Sequence, residues 1–339
     1  MNKKIVLEDI AEALNVSKGL VSRALNDKSN VSAKMKKKIF EKAFELNYDF
    51  DNLRTQPVET KSLTFVITKR ILLKRDHWHR MITSILENFS SYKIDFNHQI
   101  YDENDINKKF IKDLSLLETD AYIFIHHNPP HLVKSLVDTK KPIIVVDPKF
   151  KDEGNCFIVK YSNYDSIYSA TQYLIENGHK SIAFYGSNEY ALSNRERHEG
   201  FLASIDKHKD KKIKASSILF DAQNSTYEDE ELLKKHLKDR SKKITALICV
   251  NDTAAINAYK TIKSLGLEIP NDISVIGFDN LQKSLFVDPP LTTFSIPYEN
   301  IGSSIGHYLS FFEDTNSPIF QQVIVRCKML VRSSTKPIK

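Results

Sequence analysis

Polar and basic residues repeat at helical spacing in a short segment near the N-terminus. Gly19, Ser22, Arg23 and Asn26 fall on one side of this segment, and Lys18 lies beside them at its start. Arg can bond the two acceptors of guanine, and Asn can bond the acceptor and donor of adenine, so these side chains could read bases in a major groove. A small helical bundle with a solvated polar face would show the same pattern, and spacing alone leaves that alternative open.

Apolar residues at helical spacing predict three short helices that would position this face. Their stripes are Leu7, Ile10, Ala11 and Leu14; Leu20, Val21, Ala24 and Leu25; and Met35, Ile39, Ala43 and Leu46. Asn15 tolerates the left-handed conformation of a tight turn, and Ser17 can cap the second helix. The third helix begins near Ser32, and Lys34 and lysines 36 to 38 point outward, where they could lie near phosphates. The segment is therefore predicted to be a helix-turn-helix unit whose second helix enters the major groove.

A second group of polar residues follows apolar runs later in the chain. Asp279 comes directly after residues 273–278, Asn251 and Asp252 follow residues 245–250, and Arg197 begins a helix soon after residues 181–185. Asp, Asn and Arg can bracket neighbouring sugar hydroxyls with paired hydrogen bonds. The alternative is local: Asp279 could cap the next turn, and Asn251 could cap the helix that starts at Asp252.

Short runs rich in Ile, Val and Phe alternate with amphipathic helices from residue 62 onward. The runs are 63–68, 121–125, 142–146, 181–185, 245–250 and 273–278, and helices are predicted at 164–177, 228–238 and 252–265. Such alternation is typical of parallel sheets covered by helices, and there are too many units for one modest sheet. We expect two α/β lobes, whose ligands would lie at the carboxyl ends of the strands. The polar segment 49–61 contains Pro57 and is interpreted as a linker.

Composition narrows the class of protein. The chain has 339 residues, 41% hydrophobic and 27% charged, as in ordinary globular proteins of more than one domain. The net charge of the chain is +6. Residues 1–48 contribute +4 of it, because they contain ten Lys and Arg residues and six Asp and Glu residues. No apolar run is long enough for a membrane span, and no export signal is evident, so we expect a cytoplasmic protein. The three cysteines are interpreted as reduced thiols.

Signatures of enzymes and metal sites are sparse. The sequence contains no GxGxxG, GxxxxGK, HExxH, CxxC or GxSxG motif, so we expect neither catalysis nor a cofactor. Asp76, His77 and His79 could suggest a metal site, and His126 and His127 follow a strand. Surface or cleft positions explain these residues better, and no metal is predicted.

The N-terminal motifs Leu7-x-Asp9-Ile10-Ala11 and Val16-Ser17-x-x-Leu20-Val21-Ser22-Arg23 resemble the headpiece of the lactose-repressor family of bacterial transcription regulators. The resemblance continues in Gly178-His179-Lys180, Arg197-x-x-Gly200-Phe201, Asn251-Asp252, Ser274-Val275-Ile276-Gly277-Phe278-Asp279, Pro290-Leu291-Thr292-Thr293 and Leu330-Val331-Arg332. It implies a homodimeric repressor in which a small effector binds between two lobes and alters the affinity for operator DNA.

The resemblance also implies a domain arrangement. The fold would be α/β, with a three-helix helix-turn-helix headpiece at 1–48, a hinge linker at 49–61, and a core at 62–339 similar to periplasmic binding proteins, with two parallel sheets. The first lobe would span about 62–160 and 292–320, and the second about 161–291 and 321–339.

Site residues follow from the residue patterns and the resemblance together. The expected DNA contacts are Leu7, Ser17, Lys18, Gly19, Ser22, Arg23, Asn26, Ser32 and Lys34. The expected effector contacts are Trp78, Asp165, Arg197, Phe220, Asn251 and Asp279, with Trp78 and Phe220 as aromatic platforms for a sugar ring.

Two departures from the family pattern stand out. The family has Thr where this chain has Leu20. Its linker forms a hinge helix whose Leu enters the minor groove, whereas this chain has Pro57 at the matching position. Because Pro inside a helix costs about 3 kcal/mol, a regular hinge helix is not expected, and Leu53 or Val58 would have to supply any wedge.

The sequence thus predicts a repressor of carbohydrate uptake or catabolism genes that binds double-stranded operator DNA and a sugar or sugar phosphate. Three alternatives remain: a regulator controlled by a protein co-repressor, a sugar-binding protein, and an enzyme on the same lobes.

Overall fold

The computed structural model describes residues 5–25, 31–46, 48, 60–73, 75–87, 93–151, 156–221, 230–239, 243–315 and 321–338. These residues form two compact units. The first contains three helices, and the second begins at Lys61 and contains both parallel sheets. None of the helices in the described ranges is long and apolar enough to cross a membrane.

Three short helices build the first unit: α1 (Leu7–Leu14), α2 (Lys18–Leu25) and α3 (Ala33–Glu45). Their predicted apolar stripes meet in one core, in which Ile10, Val21 and Ile39 are completely buried. The turn between α1 and α2 is confirmed: Asn15 is left-handed with φ 51° and ψ 49°. The Ser17 hydroxyl accepts a hydrogen bond from the Leu20 N–H at 3.2 Å, which caps α2 as predicted.

A six-stranded sheet forms the first lobe of the second unit. Its strands are β1 (Thr60–Thr68), β2 (Lys93–Tyr101), β3 (Ala121–Ile125), β4 (Ile143–Val146), β5 (Phe157–Tyr161) and β11 (Gln322–Val325). They lie in the order β11-β5-β4-β3-β1-β2, and the pairs from β11 to β1 are parallel. The helices of this lobe are α4 (Lys69–Leu73), α5 (Arg75–Glu87), α6 (Lys108–Ser115), α7 (Pro130–Leu136) and α12 (Tyr298–Thr315). Its central strands are buried on both faces, as expected of a covered parallel sheet.

The second lobe contains a four-stranded parallel sheet. Its strands are β6 (Ser181–Gly186), β7 (Lys214–Leu219), β8 (Ala246–Cys249) and β9 (Ser274–Ile276), in the order β7-β6-β8-β9. Its helices are α8 (Asn163–Glu176), α9 (Leu192–Lys207), α10 (Glu230–Lys238) and α11 (Asp252–Ser264). A short antiparallel pair, β10 (Thr293–Ser295) and β12 (Lys328–Leu330), joins the crossing segments. The two α/β lobes with parallel sheets are those predicted from the sequence.

Two predicted boundaries need correction. The predicted second lobe includes residues 322–325, but β11 pairs with β5 and therefore completes the sheet of the first lobe. The predicted linker includes Thr60 and Lys61, but these residues begin β1. The remaining linker, including Leu53, Pro57 and Val58, lies outside the described residues.

Candidate nucleic-acid interface and effector cleft

The predicted DNA-reading face is the solvent-exposed side of α2. Lys18, Gly19 and Arg23 are exposed and Ser22 is half-buried, while Val21 and Ala24 on the opposite side are in the core. Ser17, at the N-cap, is also exposed. The helix thus presents its polar residues to solvent from its first turn onward, the part of a recognition helix that contacts base edges.

Gly19 has open space around it. A Cβ built on this residue would meet nothing within 4 Å, and its backbone needs no positive φ. A glycine in a helix is less favourable than alanine by up to about 1 kcal/mol, and nothing inside this unit requires it. The missing side chain therefore leaves room for a close approach from outside.

Lys18 is held by an acidic residue of the preceding helix. Its ammonium forms an ion pair with Glu8 across the turn, with both side chains more than half exposed. The hydrogen bond from Lys18 lowers the pKa of Glu8 below its ordinary value. Glu8 thus competes with any phosphate for the same ammonium.

Other expected DNA contacts have mixed placements. Ser32 accepts from the Met35 N–H at 3.3 Å and caps α3, and Lys34 is exposed in the first turn of that helix. Leu7 is partly buried against the core of the unit. Asn26 lies outside the described residues.

Arg197 is the centre of the predicted effector cleft. Its side chain on α9 is buried, and its guanidinium carbon lies 3.7 Å from the centre of the Phe278 ring. Its Nε donates to Asn163 Oδ1 at 2.9 Å, and its Nη1 donates to the Val250 carbonyl at 2.7 Å. Its Nη2 lies 3.9 Å from Asp279 Oδ1. The structure thus brings Arg197 and Asp279 together at the carboxyl ends of β8 and β9, where open parallel sheets bind ligands.

An ion pair joins the two lobes beside Arg197. Lys160 of β5, in the first lobe, pairs with Glu196 of α9, in the second, and both are largely buried. Asn163 also donates to Glu196 Oε2 at 3.1 Å. The amide of Asn163 therefore connects two charged residues of α9, Glu196 and Arg197.

Asn163, at the start of α8, takes the place expected for Asp165. The Asp165 side chain is exposed in the first turn of the helix, and the structure does not bring it to Arg197. The two residues are separated by two positions, about 200° around a helix, so they face opposite directions. The family motif indicated that α8 faces the cleft but not which of its first residues does.

Asn251 acts in the structure as the N-cap of α11. Its Oδ1 accepts from the Ala254 N–H at 2.9 Å, which is the local alternative for this residue. The cap uses the side-chain oxygen of Asn251, so the amide NH₂ is the group of this residue that could donate to a ligand.

The neighbouring Asp252 is completely buried. Its carboxylate accepts from the Leu281 N–H at 2.8 Å and lies 2.5 Å from Thr293 Oγ1. Burial, and secondarily the charge of Asp279, raise the pKa of Asp252 to about 7. The sequence identified Asp252 only as part of a motif. Its structural role is to fix the loop that carries Asp279.

Aromatic rings form a buried row between the lobes. Trp78 lies 5.2 Å from the His126 ring, and His126 stacks on Tyr190 at 5.9 Å. Trp78 and His126 belong to the first lobe and Tyr190 to the second, so the row spans the cleft. Phe220, the other predicted platform, is buried edge-on against Tyr185 at 5.1 Å. The three rings Trp78, His126 and Tyr190 thus form an aromatic contact between the two lobes.

The histidines that follow β3 form hydrogen bonds with protein groups. His126 Nδ1 lies 3.0 Å from the Asp147 carbonyl oxygen, and His127 Nδ1 lies 2.6 Å from the Tyr101 hydroxyl. Burial lowers the pKa of His127 to about 4, so this imidazole is neutral at pH 7. Among the residues that the structure describes, no three His, Cys, Asp or Glu side chains could hold a metal ion together. The side chains of Asp76 and His77 lie outside that description.

Two cavities lie on either side of the aromatic row. One has a volume of about 960 Å³ and is mainly apolar, with Trp78, Ile71 and Leu281 in its wall. The other has a volume of about 660 Å³ and is mainly polar, with Tyr190, Lys149 and Arg195 in its wall. Both have the size of a small-molecule site. No pattern in the sequence indicates the polar cavity, because its walls come from four separate segments of the chain.

Comparisons with known proteins agree with these two units. Residues 6–50 match the model of bacterial regulatory proteins of the lacI family, and residues 171–335 match the periplasmic binding protein-like domain. The probable transcriptional repressor ExuR of Bacillus subtilis is 27% identical over 98% of each chain. A CelR–cellobiose complex superposes with a TM-score of 0.67 at 20% identity, over 98% of this chain and 100% of that one. The lac repressor dimer bound to operator gives a TM-score of 0.64 at 19% identity, over the same shares of the two chains.

A helix-turn-helix unit followed by a periplasmic-binding-protein-like core defines a class of transcription regulators rather than enzymes. Residues 6–50 match the lacI family of bacterial regulatory proteins, and the curated relatives that match nearly the whole chain include transcriptional repressors. The chain thus combines the helix-turn-helix unit of bacterial regulatory proteins with a periplasmic binding protein-like core.

Proposed function

We propose that this protein is a repressor of carbohydrate uptake or catabolism genes and binds as a homodimer to a pseudo-palindromic operator. A sugar-type effector would change its affinity for that operator. The observation that carries the proposal is the polar cluster of the buried Arg197 and Asn163 and the partly exposed Asp279 at the carboxyl ends of the second-lobe strands. Such paired donors and acceptors suit vicinal hydroxyls. The complex of CelR with cellobiose supports the same class of ligand.

Coupling between effector and DNA requires that the effector bind one arrangement of the lobes better than another. The bridge from Lys160 to Glu196 and the aromatic row both join residues of the two lobes. An effector that inserts between them must change these contacts. The lobes would then differ in orientation with and without effector.

DNA recognition in this proposal belongs to the exposed face of α2. Arg23 would bond a base edge, with Ser17, Lys18, Gly19, Ser22 and Asn26 beside it, and Leu7, Ser32 and Lys34 would contact the flanking backbone. Residues 1–48 would form the headpiece and 49–59 its connection to the core.

The DNA part is tested with an operator selected by the full chain from random double-stranded DNA. Arg23→Ala removes a guanidinium that is exposed and outside the core, so the headpiece should stay folded while operator affinity falls about 5- to 150-fold, the cost of one base contact. Lys42→Ala removes the same charge at the far end of α3 and is the matched control. Equal gel-shift affinity and base preference for native chain and R23A would refute the assignment of α2.

The effector part is tested by adding sugars to the chain bound to that operator. At least one sugar should change the fraction of DNA bound, and Asp279→Asn should weaken that response while leaving operator affinity without sugar unchanged. Binding of sugars by calorimetry with no effect on DNA would overturn the regulatory role, and turnover of a bound sugar would favour an enzyme.

A further inference from the structure

We propose that the effector carries a negatively charged group, a carboxylate or a phosphate, and that the polar cavity on the Tyr190 side of the aromatic row binds it. This inference rests on the proposed function, because it names the chemistry of the ligand that the cleft would take. The 660 Å³ cavity, called the basic pocket below, is walled by residues of both lobes, so a ligand held there would contact both.

The charges around the basic pocket do not balance. Its wall includes five cationic side chains, Lys69, Arg70, Lys149, Lys151 and Arg195, and three carboxylates, Asp102, Glu103 and Glu189. Lys149 and Glu103 neutralise each other, since their Nζ and Oε2 atoms are 2.8 Å apart. Four cations then face two carboxylates, which leaves an excess of two positive charges.

Histidine does not alter this balance near neutral pH. His127 Nε2 lies 3.5 Å from Glu103 Oε2, but burial keeps the imidazole uncharged well below pH 7. The carboxylate of Glu103 is therefore occupied mainly by Lys149. An anion in the pocket would therefore interact mainly with the four cations other than Lys149, since Lys149 is already paired with Glu103.

Two of the cations are fixed over an aromatic ring. The Arg70 guanidinium carbon lies 4.6 Å from the centre of the Tyr190 ring, and Lys149 Nζ lies 5.3 Å from it. Tyr190 itself is only 5% exposed and stacks on His126, so the ring is rigidly held. Side chains positioned in this way lose little freedom when they bind a ligand, which favours affinity.

Three other cations point into solvent at the rim. Lys69, Lys151 and Arg195 are exposed, and across the described part of the chain none of them forms an ion pair with a carboxylate. A charge excess in a concave site attracts oppositely charged ligands more strongly than it would on a flat surface. The first turn of α9 contributes Leu192 and Arg195 to the same wall, and Ala191 at its N-cap provides no side chain to accept from that turn. The positive end of the helix dipole adds to the effect of the side chains.

The location of the basic pocket suits an anionic sugar in particular. It shares α9 with the Arg197 and Asp279 cluster but lies on another side of that helix, because Arg195 and Arg197 are two positions, about 200°, apart around it. The acidic group of the ligand is therefore assigned to the basic pocket and not to the cluster. The mainly apolar cavity on the Trp78 side offers no comparable set of charges.

The test is isothermal titration calorimetry of the full chain with matched ligands: hexoses and pentoses, the phosphate ester of each, and the corresponding sugar acid. At least one acidic ligand should bind about tenfold or more tightly than its neutral parent, equivalent to roughly 1.4 kcal/mol. Raising the salt concentration from about 50 mM to about 500 mM should remove most of that preference, because rim charges are screened. Phosphate and carboxylate arms of the panel distinguish the two anionic groups.

The double variant Lys69→Gln and Arg195→Gln locates the effect. Both side chains are exposed, so the variant should fold normally, and its affinity for the acidic ligand should fall to within about threefold of that for the neutral parent. Lys207→Gln, at the far end of α9, removes a charge about 18 Å along the helix and should change nothing.

The outcomes separate this inference from the proposed function. If neutral sugars bind as tightly as the acidic ones, or if the double variant keeps the preference, the inference is wrong and the sugar-responsive repressor stands. If inorganic phosphate alone binds in the pocket as tightly as any sugar phosphate, the anion site is supported and the sugar-type effector is not. Failure of every acidic ligand to bind overturns the inference.

Discussion

Asp252→Asn offers a direct measure of how the buried carboxyl of the second lobe contributes to stability. The pKa of Asp252 is about 7 in the folded chain, mainly through burial, against about 3.9 in an unfolded chain. The folded state therefore keeps a proton that the unfolded state releases between these values. The stability this confers is fully present below about pH 4 and is lost as pH rises through about 7.

The two pKa values give the size of the effect. Ionisation of this carboxyl disfavours the folded state by roughly 1–2 kcal/mol at pH 5 and about 4 kcal/mol at pH 8. Asparagine has nearly the same shape but does not ionise. The difference in unfolding free energy between the Asn variant and the native chain should therefore shift by roughly 2–3 kcal/mol in favour of the variant from pH 5 to pH 8.

Urea unfolding followed by tryptophan fluorescence measures this difference, since Trp78 is the only tryptophan and lies in the second unit. The depressed pKa of His127 makes its own acid-side contribution, which is the same in both chains and cancels in the difference. Asp206→Asn, at an exposed site, is the control and should show almost no shift. A difference that stays constant from pH 5 to pH 8 would refute the protonated state of Asp252.

Three further substitutions test features of the two units. Gly19→Ala should stabilise the headpiece by up to about 1 kcal/mol in thermal unfolding, since its Cβ meets nothing, yet weaken operator binding at least about tenfold in gel shifts; unchanged binding would mean that DNA does not approach there. Glu8→Gln should free Lys18 from its ion pair and tighten binding to random DNA a few-fold. The slope of log affinity against log salt concentration should become steeper by about one, the value for one added phosphate contact; an unchanged slope would show that Lys18 contacts no phosphate. Gly200→Ala should lower core stability by about 1–3 kcal/mol in urea unfolding, because its Cβ would lie 2.3 Å from the Tyr164 carbonyl oxygen; a neutral result would mean that α8 and α9 can move apart freely.

Local patterns explain what was predictable about the fold. The apolar stripes of α1 to α3 and the turn at Asn15 depend on neighbours within four residues, so the sequence displays them directly. The buried strands β3, β4 and β8 are continuous apolar runs for the same reason. The lobe to which β11 belongs depends on pairing with β5, more than 160 residues away, and no local pattern encodes that choice.

The site was predictable to a similar extent. Motifs that follow strands pointed to Arg197 and Asp279, and the parallel topology brings them together. The sequence could not distinguish the inward Asn163 from the outward Asp165, because that depends on the rotation of one helix. It also could not reveal the basic pocket, whose cations are far apart in the chain and meet only in the folded second unit.

The backbone passes between the lobes three times, after β5, between β9 and β10, and after β11. These passages lie side by side: the Ser162 N–H donates to the Val325 carbonyl at 2.9 Å, the Cys327 N–H donates to Ser162 Oγ at 2.9 Å, and β10 pairs with β12. Three crossing segments that are hydrogen-bonded side by side resist twisting and sliding of one lobe against the other. Bending of the lobes about the line of these segments is therefore the easiest motion. They also interleave the two lobes in the sequence, so neither lobe can be cut out as a continuous fragment, and a nascent chain completes the first sheet only when β11 has emerged.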